Sequence, residues 1–295
     1  MMTQTKDSPQ GFAFALSAYV LWGFLPLYMK ALADVPAAEV IAHRVIWSVP
    51  VAGLLLVWLG RTADFWAALR NPRMLGMGVV TAGLISLNWG IYVWSIQNGH
   101  ALDAALGYYI NPLVTVLVGA GLLGERLNRA QMAALVLAAA AVGVLTWDAG
   151  RLPVLALGMT ATWAAYAYAK KQLPIGPNQG FMLEVTLLLP LALGYAGWLA
   201  AKGESHFLNG IAFYDWMLPA AGVVTAVPLI LYANGAKLLR LSTIGILQYV
   251  SPTLIFLVAV LVFGEPFGWA RMIAFPMIWA ALAIYSLGML RAARA

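Results

Sequence analysis

Apolar positions in this chain come in runs of about twenty residues, broken by short polar connectors. A helix rising 1.5 Å per residue needs about that length to cross a bilayer. Ten stretches satisfy it: Gly11–Leu32, Ala38–Leu59, Met74–Ile96, Leu102–Leu123, Arg129–Trp147, Leu152–Lys170, Gln179–Ala201, Trp216–Lys237, Ser242–Phe263 and Trp269–Leu290. Most connectors are only a few residues long. Gly60–Arg73 and Lys202–Asp215 are longer and carry charges and aromatics, which suits segments lying at a membrane interface. No stretch has the length or polarity of a soluble domain.

The pattern contains itself twice. Ala105–Glu125 opens on polar and aromatic residues around Pro112, runs apolar, and closes in Gly124-Glu125. Adding 140 to each number turns Tyr109, Pro112, Leu117, Val118, Gly124 and Glu125 into Tyr249, Pro252, Leu257, Val258, Gly264 and Glu265. Ile91-Tyr92 matches Leu231-Tyr232, and Pro50 matches Pro190; small shifts also pair Trp22 with Trp163 and Glu39 with Glu184. Self-similarity at one spacing marks an internal duplication. The copies fall on the fourth and ninth spans, an odd number apart, so the second crosses in the opposite sense. This predicts an all-α integral membrane protein. Ten transmembrane helices form two inverted-topology five-helix repeats, residues 11–147 and 151–290, around a central cavity.

Charge sets the expected orientation. With the N-terminus inside, Lys6, Arg61, Arg70, Arg73, Arg126, Arg129, Lys170, Lys171, Lys237, Arg240, Arg291 and Arg294 are cytoplasmic. Only Lys30, Arg44, Arg151, Lys202 and Arg271 fall on the other side, so the positive-inside rule places both termini in the cytoplasm. Composition agrees: 63% of residues are hydrophobic and 9% charged, against about 25% charged in a soluble domain. The net charge of +6 is spread over loops, which excludes a clustered nucleic-acid patch. No cysteine is present, so disulfides, thiolate metal sites and cysteine nucleophiles are excluded. A polar start and no small-residue cleavage site make the first run a retained helix.

Polar groups in these spans are the candidate chemistry, because burying them in lipid costs energy. Thr81, Asn88, Tyr92 and Ser95 share one helical face, as do Tyr108, Asn111 and Thr115; Gln248 with Ser251 and Thr225 with Tyr232 repeat the pattern. Trp22, Trp163 and Tyr166 add aromatic walls. Together these outline one substrate cavity of neutral hydrogen-bonding groups and rings; the alternative is that they glue helices together. Pro112 and Pro252 are candidate hinges, since each removes a helix hydrogen bond. Glu39, His43 and Arg44 cluster at the start of the second span, either as a local ion pair or as a proton-coupling site. Glu184 is the better coupling candidate, with no basic residue within a turn of it. Glu125 and Glu265 read as structural carboxylates at helix ends, meeting an arginine such as Arg126 or Arg129. Small-residue runs at Ala138–Gly143 and Ala280–Ala283 permit close packing of the two halves or of two protomers. No P-loop, Gly-x-Ser-x-Gly, His-Glu-x-x-His or intramembrane aspartate pair occurs, so neither an enzyme nor an ATP-driven pump is expected, and no cofactor.

Ten helices in two halves, each with a Gly-Glu helix end, resemble the drug/metabolite transporter superfamily, EamA type. Ser17–Tyr28 (SAYVLWGFLPLY), Ala42–Ser48 (AHRVIWS), Ser86–Trp94 (SLNWGIYVW), Gly107–Pro112 (GYYINP), Leu247–Pro252 (LQYVSP) and Phe263–Phe267 (FGEPF) are similar to its RarD-like branch over essentially the whole chain. The resemblance implies a bacterial inner-membrane carrier that exports small metabolites. Because the superfamily includes YddG-like amino-acid exporters, it favours broad neutral and aromatic amino-acid substrates. A zwitterion carries no net charge and would suit a neutral cavity. The rival substrate class is drugs or quaternary amines, exported with proton coupling. Uniport and antiport are not separated by the sequence, nor are monomer and homodimer.

Overall fold

The computed structural model describes residues 8–123, 129–239 and 247–292, and every regular element among them is helical. In chain order these are α1 (Pro9–Ala31), α2 (Ala37–Trp58), α3 (Thr62–Leu69), α4 (Pro72–Gln97), α5 (Ala101–Leu123), α6 (Arg129–Ala149), α7 (Val154–Gln172), α8 (Pro177–Lys202), α9 (Ala212–Lys237), α10 (Val250–Leu257) and α11 (Trp269–Ala292). A π-helical turn, Val258–Val262, continues α10. Nine of the ten predicted spans overlap one of these helices over most of their length, whereas the described part of the ninth is only Val250–Leu257 and the π turn after it. The copy of the duplicated stretch at Gly124-Glu125, and the start of the ninth span, lie outside the described residues. The Gly60–Arg73 connector folds into the short helix α3, which puts Trp66 outward and Phe65 inward.

Local chemistry explains several boundaries. Proline opens α1, α4 and α8, where its missing N–H would lack a helical acceptor anyway. Asn71 Oδ1 accepts from the N–H groups of Arg73 and Met74 at the start of α4. At its other end α8 stops on Gly203 in the left-handed conformation, φ 70°.

Among the described residues, seven helices are long and apolar enough to cross a membrane: α1, α2, α4, α6, α8, α9 and α11. The helix Val250–Val262 is apolar but shorter. Large apolar side chains face outward along these helices, including Leu54, Leu191 and Leu261. Trp58, Trp147, Trp216 and Trp269 stand exposed at helix ends, the positions an aromatic belt occupies.

All five junctions α1–α2, α4–α5, α6–α7, α8–α9 and α10–α11 meet at one end of the bundle. Gln97 Nε2 donates to the carbonyls of Leu32 and Val35 at 2.8 and 2.9 Å. Glu39 holds the Gly203–Ile211 connector through His206. Glu265 accepts from the N–H groups of Ala101 and Leu102 at 2.6 and 2.9 Å. At the opposite end Gln179 reaches Asp64 on α3, and Ser8 N–H donates to Leu238.

The Glu265 contacts replace the arginine partner expected for that carboxylate. The reason is physical: the four leading N–H groups of a helix need acceptors, and an anion there also meets the positive end of the helix dipole. The same bonds join the start of α5 to the end of the α10 segment. Further along, Tyr109 and Thr253 share a 2.8 Å hydrogen bond. As the α5 number rises the α10 number falls, so these helices run antiparallel.

Helix packing ignores chain order. α1 packs on α9 and α10; α7 packs on α4 and α5; α2 packs on α8 and α9; α6 packs on α11. Lipid tails provide no hydrophobic drive for helices to associate, so close approach of small residues matters. A Cβ on Gly222 would overlap the Trp47 backbone, and one on Gly235 would lie 2.7 Å from the Ala15 nitrogen. Both small-residue runs lie on the α6–α11 pair, where Ala134, Ala138, Ala141, Ala274 and Ala281 are buried within one chain. Phe256, Phe267, Phe275 and Trp279 join Tyr109 in a ring cluster tying α5, α10 and α11.

Candidate substrate site

Arg44 is the centre of the buried polar structure. It sits seven residues into α2, roughly 10 Å along its axis, and only 4% of it is exposed. Nε donates to Thr225 Oγ1 on α9 at 3.1 Å. That hydroxyl in turn donates to the Ala221 carbonyl at 2.7 Å. The guanidinium lies over Trp89 on α4, 4.5 Å from the ring centroid, a geometry worth about 2 kcal/mol or more when desolvated. Tyr28, Tyr92 and Tyr108 are near enough to interact electrostatically with the charge. Tyr92 and Tyr108 meet edge to face at 5.8 Å, and the Tyr28 hydroxyl donates to the Met217 carbonyl.

This group is under-satisfied. Arg44 Nη1 and Tyr92 Oη are buried without hydrogen-bond partners, and so is Ser48 Oγ one turn along α2. Among the described residues no carboxylate lies within salt-bridge distance of Arg44, although other ion pairs form in the same structure. A buried charge normally has a counter-ion, because its desolvation costs several kcal/mol in practice.

The intramembrane carboxylates are committed elsewhere. Glu184, 1% exposed, pairs with Lys170 Nζ at 2.6 Å and accepts from Tyr166 Oη at 3.2 Å. Lys170 reaches it from α7. The absence of a basic residue nearby in sequence therefore gave a misleading picture of this carboxylate. Glu39 is fully buried and pairs with neither His43 nor Arg44. Its oxygens accept from the His206 N–H at 2.7 Å and from Ser205 Oγ at 3.3 Å, and lie 2.7 Å from His206 Nδ1. His43 instead accepts from Trp47 Nε1 at 3.2 Å and packs against Phe207.

The predicted cavity residues divide into separate groups. Tyr92 and Tyr108 lie beside Arg44. Asn88 Nδ2 ties α4 to α7 by donating to the Met159 carbonyl and to Thr162 Oγ1 at 2.8 and 2.9 Å. Asn111 is buried on α5. Trp22 belongs to a ring trio with Tyr19 and Tyr232, centroids 5.7–5.9 Å apart. Trp163 packs on Tyr166 at 5.7 Å, beside the Lys170–Glu184 pair. Gln248 is half-buried in a turn just before α10.

The two prolines also differ. Pro112 lies mid-helix in α5, whereas Pro252 falls in the first turn of α10, where no helical hydrogen bond is lost. Away from these residues, a cavity of about 470 Å³ opens at the junction end, lined in part by Trp94, His100, Asp103, Asp148, Arg151 and Arg271. There Asp103 pairs with His100 and Arg271.

Sequence reasoning missed Arg44, Tyr28, Trp89 and Lys170 as site members. The signal for Arg44 was present: a lone arginine inside a 22-residue apolar helix is expensive and seldom incidental. Its place at the start of a span made an interfacial ion pair look sufficient.

This bundle, with polar groups gathered between interleaved helices and apolar side chains outside, is the construction of a membrane carrier. Residues 9–147 match the EamA-like transporter family. A solved crystal structure shares the fold, with a TM-score of 0.62 at 20% identity over 94% of this chain and 97% of its own. Protein RarD of Streptomyces exfoliatus is 41% identical over 99% of this chain and 93% of its own length. Protein RarD of Escherichia coli is 40% identical, covering 95% of each. An uncharacterized transporter of Vibrio cholerae is 40% identical over 100% of this chain and 98% of its own. The chain belongs to the EamA-type drug/metabolite transporter superfamily, in its RarD-like branch, and is a multi-pass membrane protein.

Proposed function

We propose that the protein exports small metabolites, amino acids foremost, across the bacterial inner membrane by alternating access between two inverted five-helix halves, with both termini cytoplasmic. The observation that carries the reading is the helix packing. Exchanging α1 with α7, α2 with α8, α4 with α9, α5 with α10 and α6 with α11 carries the principal packing pairs into one another. The pair α1–α9 becomes α7–α4, α1–α10 becomes α7–α5, and α2–α9 becomes α8–α4; α2–α8, α5–α10 and α6–α11 map onto themselves. The antiparallel run of α5 and α10 supports opposite crossing senses for the two copies. Carriers built from inverted repeats hold substrate between the halves near the midplane.

On this reading the moving bodies are two packed groups, each drawing helices from both halves. α1 carries α9 and α10, while α7 carries α4 and α5, so each body mixes helices from residues 11–147 and 151–290. Rocking these two groups about the α2–α8 and α6–α11 pairs opens either face in turn. Arg44 and its neighbours touch both groups, through Tyr28 and Thr225 on one side and Trp89, Tyr92 and Tyr108 on the other. The rings of Trp22, with Tyr19 and Tyr232, belong to the first group and those of Trp163 and Tyr166 to the second.

Amino acids are favoured over lipophilic cations because Glu39 and Glu184 already have cationic or hydrogen-bonding partners. The test is counterflow of labelled threonine, methionine and phenylalanine in proteoliposomes, with and without an imposed pH gradient. Flux of at least one is expected. Absence of flux for every amino acid tried would remove this substrate class.

A further inference from the structure

We propose that Arg44 is the receptor for a carboxylate, so that the transported class is organic monocarboxylates in which the acid group is required and the amine is dispensable. The proposal rests on the carrier reading above and names the chemistry its central site recognises.

Arg44 has no counter-ion among the described residues. A guanidinium has five N–H donors in a planar fork that matches a carboxylate in bidentate fashion. Here Thr225 takes the Nε donor at 3.1 Å. Nη1 is buried and has no partner. Trp89 covers one face of the plane at 4.5 Å, which fixes the orientation of the fork without using its donors. Tyr92 Oη, a further donor, is also buried without a partner, and its ring packs on Tyr108 beside the charge.

A purely structural arginine would be expected to use its donors on helix carbonyls or carboxylates. This one leaves donors unused beside phenols, in a molecule whose two buried span carboxylates are held by Lys170 and His206. A donor-rich, cationic group without an anion is complementary to a small anion with two acceptor oxygens. Among the described residues no corresponding carboxylate is free nearby for an ammonium group, so the amine of an amino acid contributes little to recognition. The position fits transport, because Arg44 touches both moving groups and its charge would be neutralised only when substrate bridges them.

Three probes sharing a phenyl ring separate the chemistry: phenylalanine, 3-phenylpropionate, which lacks the amine, and 2-phenylethylamine, which lacks the acid. Binding is read by tryptophan fluorescence on purified protein, and transport by counterflow in proteoliposomes. Both acids should bind and exchange, and the amine should not. Arg44→Gln should weaken acid binding more than tenfold, and Arg44→Lys should restore part of it. Trp89→Leu, which loosens the fork but leaves the charge, should weaken it several-fold and serves if Arg44→Gln does not fold.

If 2-phenylethylamine binds as well as 3-phenylpropionate, or if neither Arg44→Gln nor Trp89→Leu changes acid binding, the proposal is overturned while amino-acid transport stands. If 3-phenylpropionate binds in an Arg44-dependent way and phenylalanine, threonine and methionine neither bind nor move, the proposal stands and the amino-acid reading falls. Binding of none of the three overturns the proposal, and the amino-acid reading falls with it if threonine and methionine also fail to move.

Discussion

The Lys170–Glu184 pair decides whether the buried carboxylate of α8 is structural or couples transport to protons. Lys170 Nζ lies 2.6 Å from Oε1, and the Tyr166 hydroxyl donates to Oε2 at 3.2 Å. Glu184 is 1% exposed and the lysine side chain 21%. Lys170→Met removes the cation and leaves the carboxylate desolvated, with only the phenol to stabilise it. Breaking a buried pair in this way costs about 3–5 kcal/mol. Glu184→Gln should cost less, about 1–3 kcal/mol, because the lysine sits in the last turn of α7 and can turn toward water. The double variant Lys170→Met/Glu184→Gln has no isolated charge and should lose only about 1–2 kcal/mol. The cycle therefore gives a coupling energy of about 3–6 kcal/mol when the single costs are compared with the double. The assay is reversible unfolding in mixed detergent micelles, followed by counterflow of the folded double variant. Additivity within about 0.5 kcal/mol would refute the pairing argument. Loss of pH-gradient-dependent flux in a stable double variant would return Glu184 to a coupling role.

Three further outcomes follow from the packing. Glu265→Ala strips two charge-assisted bonds from the start of α5 and should cost about 3 kcal/mol, with Glu265→Gln costing about 1; unfolding together with amide exchange at Ala101 and Leu102 reads both, and unchanged exchange in the alanine variant would contradict the cap. Gly222→Ala places a methyl against the Trp47 backbone and should destabilise by about 1–3 kcal/mol, whereas Gly194→Ala, which meets open space, should change stability little; the two are compared by thermal unfolding. The chain contains no cysteine, so single cysteines can map its orientation directly: Asn98→Cys and Asn209→Cys should label from outside intact cells, and Arg70→Cys only after permeabilisation. Labelling of Asn98→Cys and Arg70→Cys from the same side would break the topology.

Much of the architecture was legible in the chain because it depends on solvent and on local geometry. An apolar run long enough for lipid must satisfy its backbone internally, so it becomes a helix wherever it later packs. The 140-residue offset pointed to a duplication, and the charge distribution gave an expected orientation. Proline and asparagine stand at several helix starts, a local signal that the apolar runs alone did not use. The burial of Asn88 and Tyr92 was also partly visible, as polar side chains repeating at helical spacing.

The tertiary structure alone chose the partners of the buried charges. Glu184 finds Lys170 on the preceding helix, Glu39 finds His206 from 167 residues away, and Glu265 caps a helix 163–164 residues earlier. Each choice depends on how helices rotate and cross, which is fixed by close approaches such as Gly222 against Trp47 rather than by the order of residues. The same contacts leave Arg44 without an anion. A sequence can mark an arginine as costly in a membrane, but only the assembled bundle shows that no described carboxylate comes to meet it.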